Sequence, residues 1–122
     1  MKNMLLVALG GAAGSVLRYS IGVWLKQAFD GSFPLATLVV NLLGSLLIGL
    51  LAGYAGRQEW MSGDGWLLLA TGLCGGFTTF SALSLEGFRM LQSGAVGTAL
   101  LYLGASVVVG LALCAVGYRI ST

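Results

Sequence analysis

Histidine is absent from this chain, and charged side chains of either sign are scarce. Its 122 residues include six Lys or Arg and four Asp or Glu, so that 8% are charged and the net charge is +2. An average soluble domain has about 25% charged residues, and this chain could not cover a soluble surface. The small, dispersed positive charge forms no basic cluster for nucleic acid. We expect an integral membrane protein, and not an enzyme.

Cysteine and proline are also rare, which excludes a fold held by disulfide bonds. Cys74 and Cys114 lie in separate apolar segments, without partners at metal-ligand spacing. We interpret both as small buried apolar side chains. The only proline, Pro34, suits the first turn of a helix.

Long apolar runs are abundant, since 57% of the residues are hydrophobic. A membrane-spanning helix needs roughly 20 apolar residues, so residues 1–122 are expected to form a single all-α transmembrane domain with four spans. The first run contains Arg18 and has no convincing cleavage context, so we interpret it as a helix and not as a signal peptide. The predicted helices span about residues 4–25, 35–55, 66–91 and 95–118.

The composition of the third predicted span indicates a break in its helix. Within residues 72–81 it has two adjacent glycines, two threonines and a serine. These residues should break the helix and free backbone carbonyls. Lipid cannot satisfy such groups, so they must be buried in protein or line a polar cavity. Transport proteins often bind ions at breaks of this kind.

Arg18 is a cation near the middle of the first span. An arginine there costs roughly 2.5–3.5 kcal/mol on insertion scales, so it should face protein or a water-filled vestibule. Two roles remain open: it attracts anions at a vestibule, or it caps free carbonyls of the broken helix. Around it Gly10, Gly14 and Gly22 recur on one face and favour close helix packing.

Uncharged hydrogen-bond donors mark the other spans. Asn41, the only strongly polar side chain of the second span, is either an interhelical hydrogen-bonding group or an amide donor for an anion. Phenylalanines usually pack, but the edge of their ring is electropositive and could contact an anion. The candidates that follow the break or lie on the fourth span are Phe77, Phe80, Ser81, Ser84, Tyr102 and Ser106.

The excess of hydrogen-bond donors over carboxylates along the spans indicates the sign of the charge on a transported ion. A cation pathway would favour carboxylates or rings of carbonyls. Here Glu59 and Glu86 lie near the ends of spans, and no acid lies at a span centre. The pattern therefore favours an anion pathway.

Four spans place both termini on one side of the membrane. That side would hold Lys2, Arg57 and Arg119, and the other side Lys26 and Arg89. Orientation follows the asymmetry of Lys and Arg between the two sides, and here it is almost nil. We predict insertion in both orientations, which would allow an antiparallel homodimer about a twofold axis in the membrane plane.

Three motifs in this chain resemble those of the Fluc (CrcB) family of fluoride channels, and the match covers the whole chain in order. The motifs are Gly10-Gly11-Ala12-Ala13-Gly14-Ser15-Val16-Leu17-Arg18-Tyr19, Asn41-Leu42-Leu43-Gly44 and Gly75-Gly76-Phe77-Thr78-Thr79-Phe80-Ser81. The resemblance implies a dual-topology antiparallel homodimer in the bacterial cytoplasmic (inner) membrane. Such a dimer exports fluoride passively through two pores at its interface. It also implies a structural sodium ion at the dimer centre, held by backbone carbonyls of Gly75 and Thr78 from each subunit.

The resemblance also implies roles for single residues. Asn41 would be the pore amide, Phe80 the first ring of the family's phenylalanine pair, and Glu86 an acid near a pore end. Arg18 would lie at a vestibule or structural position. The candidates for the polar track are Ser81, Ser84, Tyr102 and Ser106.

Two positions depart from the family pattern. Leu83 stands where the family usually has its second phenylalanine, so that contact is missing or is supplied by Phe77 or Phe88. Gly110 stands where some relatives carry a hydroxyl on the fourth helix.

Two other functions remain as alternatives. A proton-coupled exporter of the small multidrug resistance type also has four short spans and dual topology, but it needs a carboxylate deep in the first helix. Residues 4–25 contain none. In a non-transporting membrane scaffold, the glycines and phenylalanine rings would only pack.

Overall fold

A computed structural model describes residues 1–29, 31 and 33–122, and these residues form helices and no strand. Four helical segments are long and apolar enough to cross a membrane, which confirms the expected multi-pass, all-α fold. Positions 30 and 32, between the first two predicted spans, lie outside the described residues. The elements are α1 (Lys2–Ala28), α2 (Leu35–Ala55), a π-helix (Trp66–Cys74), α3 (Gly75–Phe77), α4 (Phe80–Gln92) and α5 (Val96–Ser121).

The third span is interrupted at Thr78 and Thr79, as its composition predicts. Both residues are extended, with φ −83° and ψ 157° at Thr78 and φ −148° and ψ 110° at Thr79. The Thr79 hydroxyl then accepts a hydrogen bond from the Ala82 amide at 3.1 Å. This is the usual N-cap of a new helix, so the chain ends α3 and restarts as α4 within the same span.

The segment before the break is wound as a π-helix, which the sequence pattern did not predict. At its end the Gly75 amide donates to the Ala70 carbonyl, five residues back. Such winding is rare in proteins and is frequent at functional sites.

Glycines let α1 approach the π-helix closely. A Cβ atom at Gly14 would lie 2.8 Å from the Phe77 amide nitrogen, and one at Gly10 would lie 2.9 Å from the Gly72 Cα. Backbone atoms cannot move away as a side chain can, so these positions tolerate no side chain. Gly10 and Gly14 therefore serve helix packing, as predicted, whereas the prediction is wrong for Gly22, where a Cβ atom would meet nothing within 4 Å.

A second set of glycines joins α2 to α5. Gly49 lies against the Cys114 carbonyl, and four residues earlier on each helix Ser45 lies opposite Gly110. The two contacts follow the same order along both helices, so α2 and α5 run parallel in a constant register.

Both termini lie at the same end of the bundle. The Lys2 ammonium is 3.2 Å from the Asp64 carboxylate, and the Arg57 guanidinium donates to the Ser121 carbonyl at 2.9 Å. The loop between α2 and the π-helix is thus tied to the start and to the end of the chain, as four spans require.

Candidate ion pathway

The Asn41 side chain spans the break in the third span. Its Nδ2 donates to the Thr79 carbonyl at 3.1 Å, and its Oδ1 accepts from the Thr79 amide at 2.8 Å. An amide is the side chain that can donate and accept at one backbone residue in this way. One Nδ2 hydrogen remains for another acceptor, so the structural and the ion-binding roles of Asn41 are compatible.

The bond from the Thr79 amide has a consequence for the carbonyls upstream. In a continuous α-helix this amide would donate to the Gly75 carbonyl, and the Ala82 amide would donate to the Thr78 carbonyl. Instead they donate to Asn41 Oδ1 and to Thr79 Oγ1. The break therefore frees the carbonyls of Gly75 and Thr78 from their regular helical partners.

Arg18 caps a third carbonyl at the same break. Its Nε donates to the Gly76 oxygen at 3.2 Å, and its side chain is half-buried. The guanidinium also borders a cavity of about 410 Å³ on this side of α4, together with Lys26, Thr37 and Thr79. One nitrogen of Arg18 thus caps the backbone while its side chain borders the cavity, a geometry compatible with both roles left open for this residue.

A second cavity, of about 420 Å³, lies on the other side of the break. Asn41 and Ser45 line it from α2, Gly75, Thr78 and Thr79 from the break, and Phe80 and Leu83 from α4. Its polar lining consists of amide, hydroxyl and backbone groups, and the described residues around it include no carboxylate. We call it the break cavity.

The phenylalanine candidates divide between two environments. The Phe80 ring is 80% exposed at the rim of the break cavity, and Leu83 is 8% exposed in its wall. Phe77 is buried elsewhere, in an apolar groove between α1 and α2 lined by residues such as Leu43 and Leu73. The structure therefore does not bring Phe77 to the cavity that Asn41 borders, and Phe88 is 55% exposed outside it.

The candidates on α5 line up with polar residues on α2. Since Ser45 lies opposite Gly110, the constant register places Ser106 level with Asn41 and Tyr102 level with Thr37. Ser106 is half-buried and its hydroxyl donates to the Tyr102 carbonyl at 2.7 Å. Two polar lines thus run side by side along parallel helices.

Glu86 and Tyr102 lie near the end of this double line. The Thr37 hydroxyl donates to Glu86 Oε1 at 2.6 Å, so the acid predicted near a pore end is hydrogen-bonded and half-buried. Tyr102 is 1% exposed and its ring meets that of Phe33 edge to face at 5.5 Å. Within the described part of the chain its hydroxyl has no hydrogen-bond partner.

Ser81 and Ser84 are exposed on α4, in the middle of a membrane-capable segment. The Ser81 hydroxyl lies 3.2 Å from that of Thr79. Gly75 is exposed too, with no atom within 4 Å of the place where its Cβ would be. Gly75, the Phe80 ring and the two serines are therefore all uncovered in a single chain.

Three residues belong to the site although the sequence pattern did not assign them to it. Thr37 and Ser45 lie four residues before and after Asn41, and this helical spacing could have revealed them. Thr79 acts through its backbone amide and carbonyl, which no pattern of side chains reveals.

Comparison with known proteins gives a consistent family match. Residues 5–118 match the family model described as "CrcB-like protein, Camphor Resistance (CrcB)". The chain is 50% identical over 120 residues to the "Fluoride-specific ion channel FluC" of Thermus thermophilus. The aligned region covers 98% of this chain and 94% of that protein.

Proteins of the same name in other bacteria give similar values. Identity is 48% over 121 residues with the protein of Methylobacillus flagellatus, covering 98% of this chain and 94% of the relative. It is 47% over 112 residues with that of Agrobacterium fabrum, covering 92% and 90%. The similarity therefore extends over nearly the full length of this chain and of each relative.

Proposed function

This chain belongs to the CrcB-like family, and we propose that it is a fluoride-selective ion channel. It would let fluoride leave the cytoplasm passively and so lower the fluoride concentration there. The observation that carries the proposal is the break cavity, whose polar groups are uncharged and include the Asn41 amide and the Ser45 hydroxyl. Relatives about half identical over nearly their whole length are named for this activity.

The chemistry of fluoride explains why such a lining is suitable. Fluoride is small and strongly hydrated, and burying an unpaired ion costs tens of kcal/mol in a simple solvation estimate. Donors along the pathway must therefore replace its water in sequence. They must also release the ion again, and neutral amides, hydroxyls and ring edges bind it less tightly than a lysine or arginine would.

Arg18 meets this requirement because its charge lies beside the break cavity and not among the groups that line it. Its Nε donates to the Gly76 carbonyl, so the guanidinium is anchored to the backbone and stays out of the break cavity. With Lys26 it gives the neighbouring cavity two cations, and the described residues that line that cavity include no carboxylate. A positive vestibule raises the local concentration of anions without trapping them at the narrowest point.

The functional unit in this proposal is an antiparallel homodimer in the bacterial cytoplasmic membrane. A single chain leaves Phe80, Ser81 and Ser84 uncovered at membrane depth, and lipid cannot pair with hydroxyls. A second copy would cover this side and close the break cavity. The near absence of charge bias between the two ends is compatible with copies inserted in opposite directions.

A sodium ion at the centre of that dimer is the remaining part of the proposal. Hard cations take oxygen ligands, and the break frees the carbonyls of Gly75 and Thr78 from their helical partners. In the described residues, no group of three or more His, Cys, Asp or Glu could hold a metal instead. Two such carbonyls from each copy would hold the ion and add positive potential near the pathway.

The proton-coupled exporter is not supported by the first helix. As observed, α1 covers Lys2–Ala28 and contains no Asp or Glu. A channel and an exporter also differ in their response to a proton gradient, because only the exporter needs one.

The experiment is ion efflux from liposomes that contain the purified protein. We expect fluoride efflux far above that of empty liposomes, little chloride efflux, and no dependence on an imposed proton gradient. Fluoride efflux equal to that of empty liposomes would refute the channel. Efflux that requires a proton gradient would favour the exporter.

A further inference from the structure

Ser45 is the polar residue of the break cavity that neither the motifs nor the predicted pore residues include. It lies one helical turn after Asn41 on the same face of α2 and borders the same cavity. It also lies at the seam with α5, because a Cβ atom built at Gly110 would be 3.2 Å from the Ser45 hydroxyl oxygen. Ser45 thus belongs both to the cavity wall and to the double polar line.

A side chain at position 110 would crowd the Ser45 hydroxyl. Gly110 is buried, and a contact of 3.2 Å is tighter than ordinary van der Waals contact. The line of polar residues on α5, Tyr102 and Ser106, therefore ends at Gly110 with a gap. The Ser45 hydroxyl, which comes from the opposite helix, lies in that gap.

We propose that the Ser45 hydroxyl is an ion-contacting donor, which continues the polar line of α5 past Gly110 into the break cavity. This inference rests on the proposed fluoride channel. Ser45 would supply a donor from α2 opposite Gly110, where α5 has no polar side chain. Each successive turn along the two helices would then offer at least one polar group to the ion.

The hydrogen of this hydroxyl is available when an anion arrives. At rest it is donated to the Asn41 carbonyl at 2.8 Å, but that carbonyl also lies inside α2 and accepts the regular helical bond from the Ser45 amide. The hydroxyl can rotate toward an anion without leaving the carbonyl unpaired. Ser106 has the same arrangement with the Tyr102 carbonyl, so both hydroxyls can alternate between backbone and ion.

The first test is Ser45→Ala, measured as the initial rate of fluoride efflux from liposomes. The change removes the hydroxyl and keeps the Cβ that packs near Gly110. Loss of one hydrogen-bond donor corresponds to a rate roughly two- to tenfold lower. The matched control is Ser20→Ala on α1, since Ser20 is exposed and its hydroxyl makes the same bond to the carbonyl four residues back, at 2.9 Å.

The second test moves the hydroxyl to the other helix. Ser45→Gly should lower the rate, and the double variant Ser45→Gly with Gly110→Ser should restore it toward that of the unmodified protein. The control is Ser45→Gly with Gly110→Ala, which refills the same space without a hydroxyl; a purely packing role of Ser45 predicts that it restores the rate as well as Gly110→Ser does, and that result would overturn the proposal.

The outcomes separate this inference from the function on which it rests. Unmodified protein that leaks no fluoride would refute the channel itself. An unmodified protein that conducts while Ser45→Ala conducts equally fast would overturn the role of Ser45 alone. A folded double variant no faster than Ser45→Gly would overturn it too, and should the double variant not assemble, the comparison of Ser45→Ala with Ser20→Ala decides.

Discussion

The Asn41 amide holds Thr79 by two hydrogen bonds, donating to its carbonyl at 3.1 Å and accepting from its amide at 2.8 Å. A side chain on α2 thus replaces the helical bonding that the third span loses at its break. The same contact diverts the Thr79 amide from the Gly75 carbonyl. One residue therefore links the shape of the break, the free carbonyls and the donor in the cavity wall.

Asn41→Asp tests the donor half of this arrangement. Aspartate keeps an acceptor for the Thr79 amide but loses the NH₂ group and adds a negative charge beside the pathway. We expect fluoride efflux to fall at least tenfold, because a hydrogen bond to an ion contributes about 1.5–3 kcal/mol and the carboxylate also repels the anion. Asn3→Asp, at an exposed position near the start of α1, is the matched control. Equal efflux from both variants would remove Asn41 from the pathway.

The two roles of Arg18 can be measured separately. Arg18→Gln keeps a donor for the Gly76 carbonyl and removes the charge, so we expect slower fluoride efflux with a nearly unchanged melting temperature in detergent. Arg18→Ala removes both, and the unpaired carbonyl should cost about 1–3 kcal/mol of stability.

Lys26→Gln is the comparison for Arg18, because Lys26 borders the same cavity and is exposed. It should slow efflux less and leave the melting temperature unchanged. A melting temperature equally low for Arg18→Gln and Arg18→Ala would contradict the capping role of the side-chain donor.

Much of the fold follows from the sequence because each decisive signal is local. Apolar runs about as long as a bilayer is thick predict the four spans, and the glycine-threonine composition predicts the interruption that is observed at Thr78 and Thr79. The spacing of Gly10 and Gly14 likewise predicts the tight packing of α1, since small residues four apart let membrane helices approach closely.

The rest depends on contacts between segments that are far apart in the chain. The π-helix is defined by which carbonyl each amide reaches, and its composition does not differ from that of an apolar α-helix. That Arg18 caps a carbonyl follows only from the position of Gly76, which is 58 residues away in the chain. The place of Ser45 opposite Gly110 likewise requires the register between α2 and α5.

Gly14→Ala should prevent assembly, whereas Gly22→Ala should not. A methyl group at Gly14 would meet the Leu73 carbonyl and would lie 2.8 Å from the Phe77 amide nitrogen, while nothing lies within 4 Å of the same position at Gly22. Overpacking costs typically about 1–3 kcal/mol even where side chains can adjust, and here the contact atoms are backbone. The measurement is the fraction recovered as one peak in size-exclusion chromatography. Similar recovery of both variants would contradict the close approach of α1 to the third span.

Leu83→Phe tests the departure from the family's phenylalanine pair. Leu83 is 8% exposed in the wall of the break cavity near Phe80, so a ring at this position can project into the cavity. If an electropositive ring edge contacts the ion, the variant should show faster fluoride efflux or a higher ratio of fluoride to chloride efflux. Leu83→Met changes shape at similar volume without adding a ring. Identical behaviour of the two variants would show that the second ring is immaterial in this chain.

Insertion in both orientations is tested by labelling single cysteines at opposite ends of the bundle. Asn3→Cys lies at the end that holds both termini, and Ser93→Cys lies in the turn between α4 and α5; both positions are exposed. Cys74 and Cys114 would first be replaced by alanine. Because Lys and Arg are divided almost evenly between the ends, a membrane-impermeant maleimide added to spheroplasts should label roughly half of each variant. Full labelling of one variant and none of the other would show a single orientation and rule out an antiparallel pair.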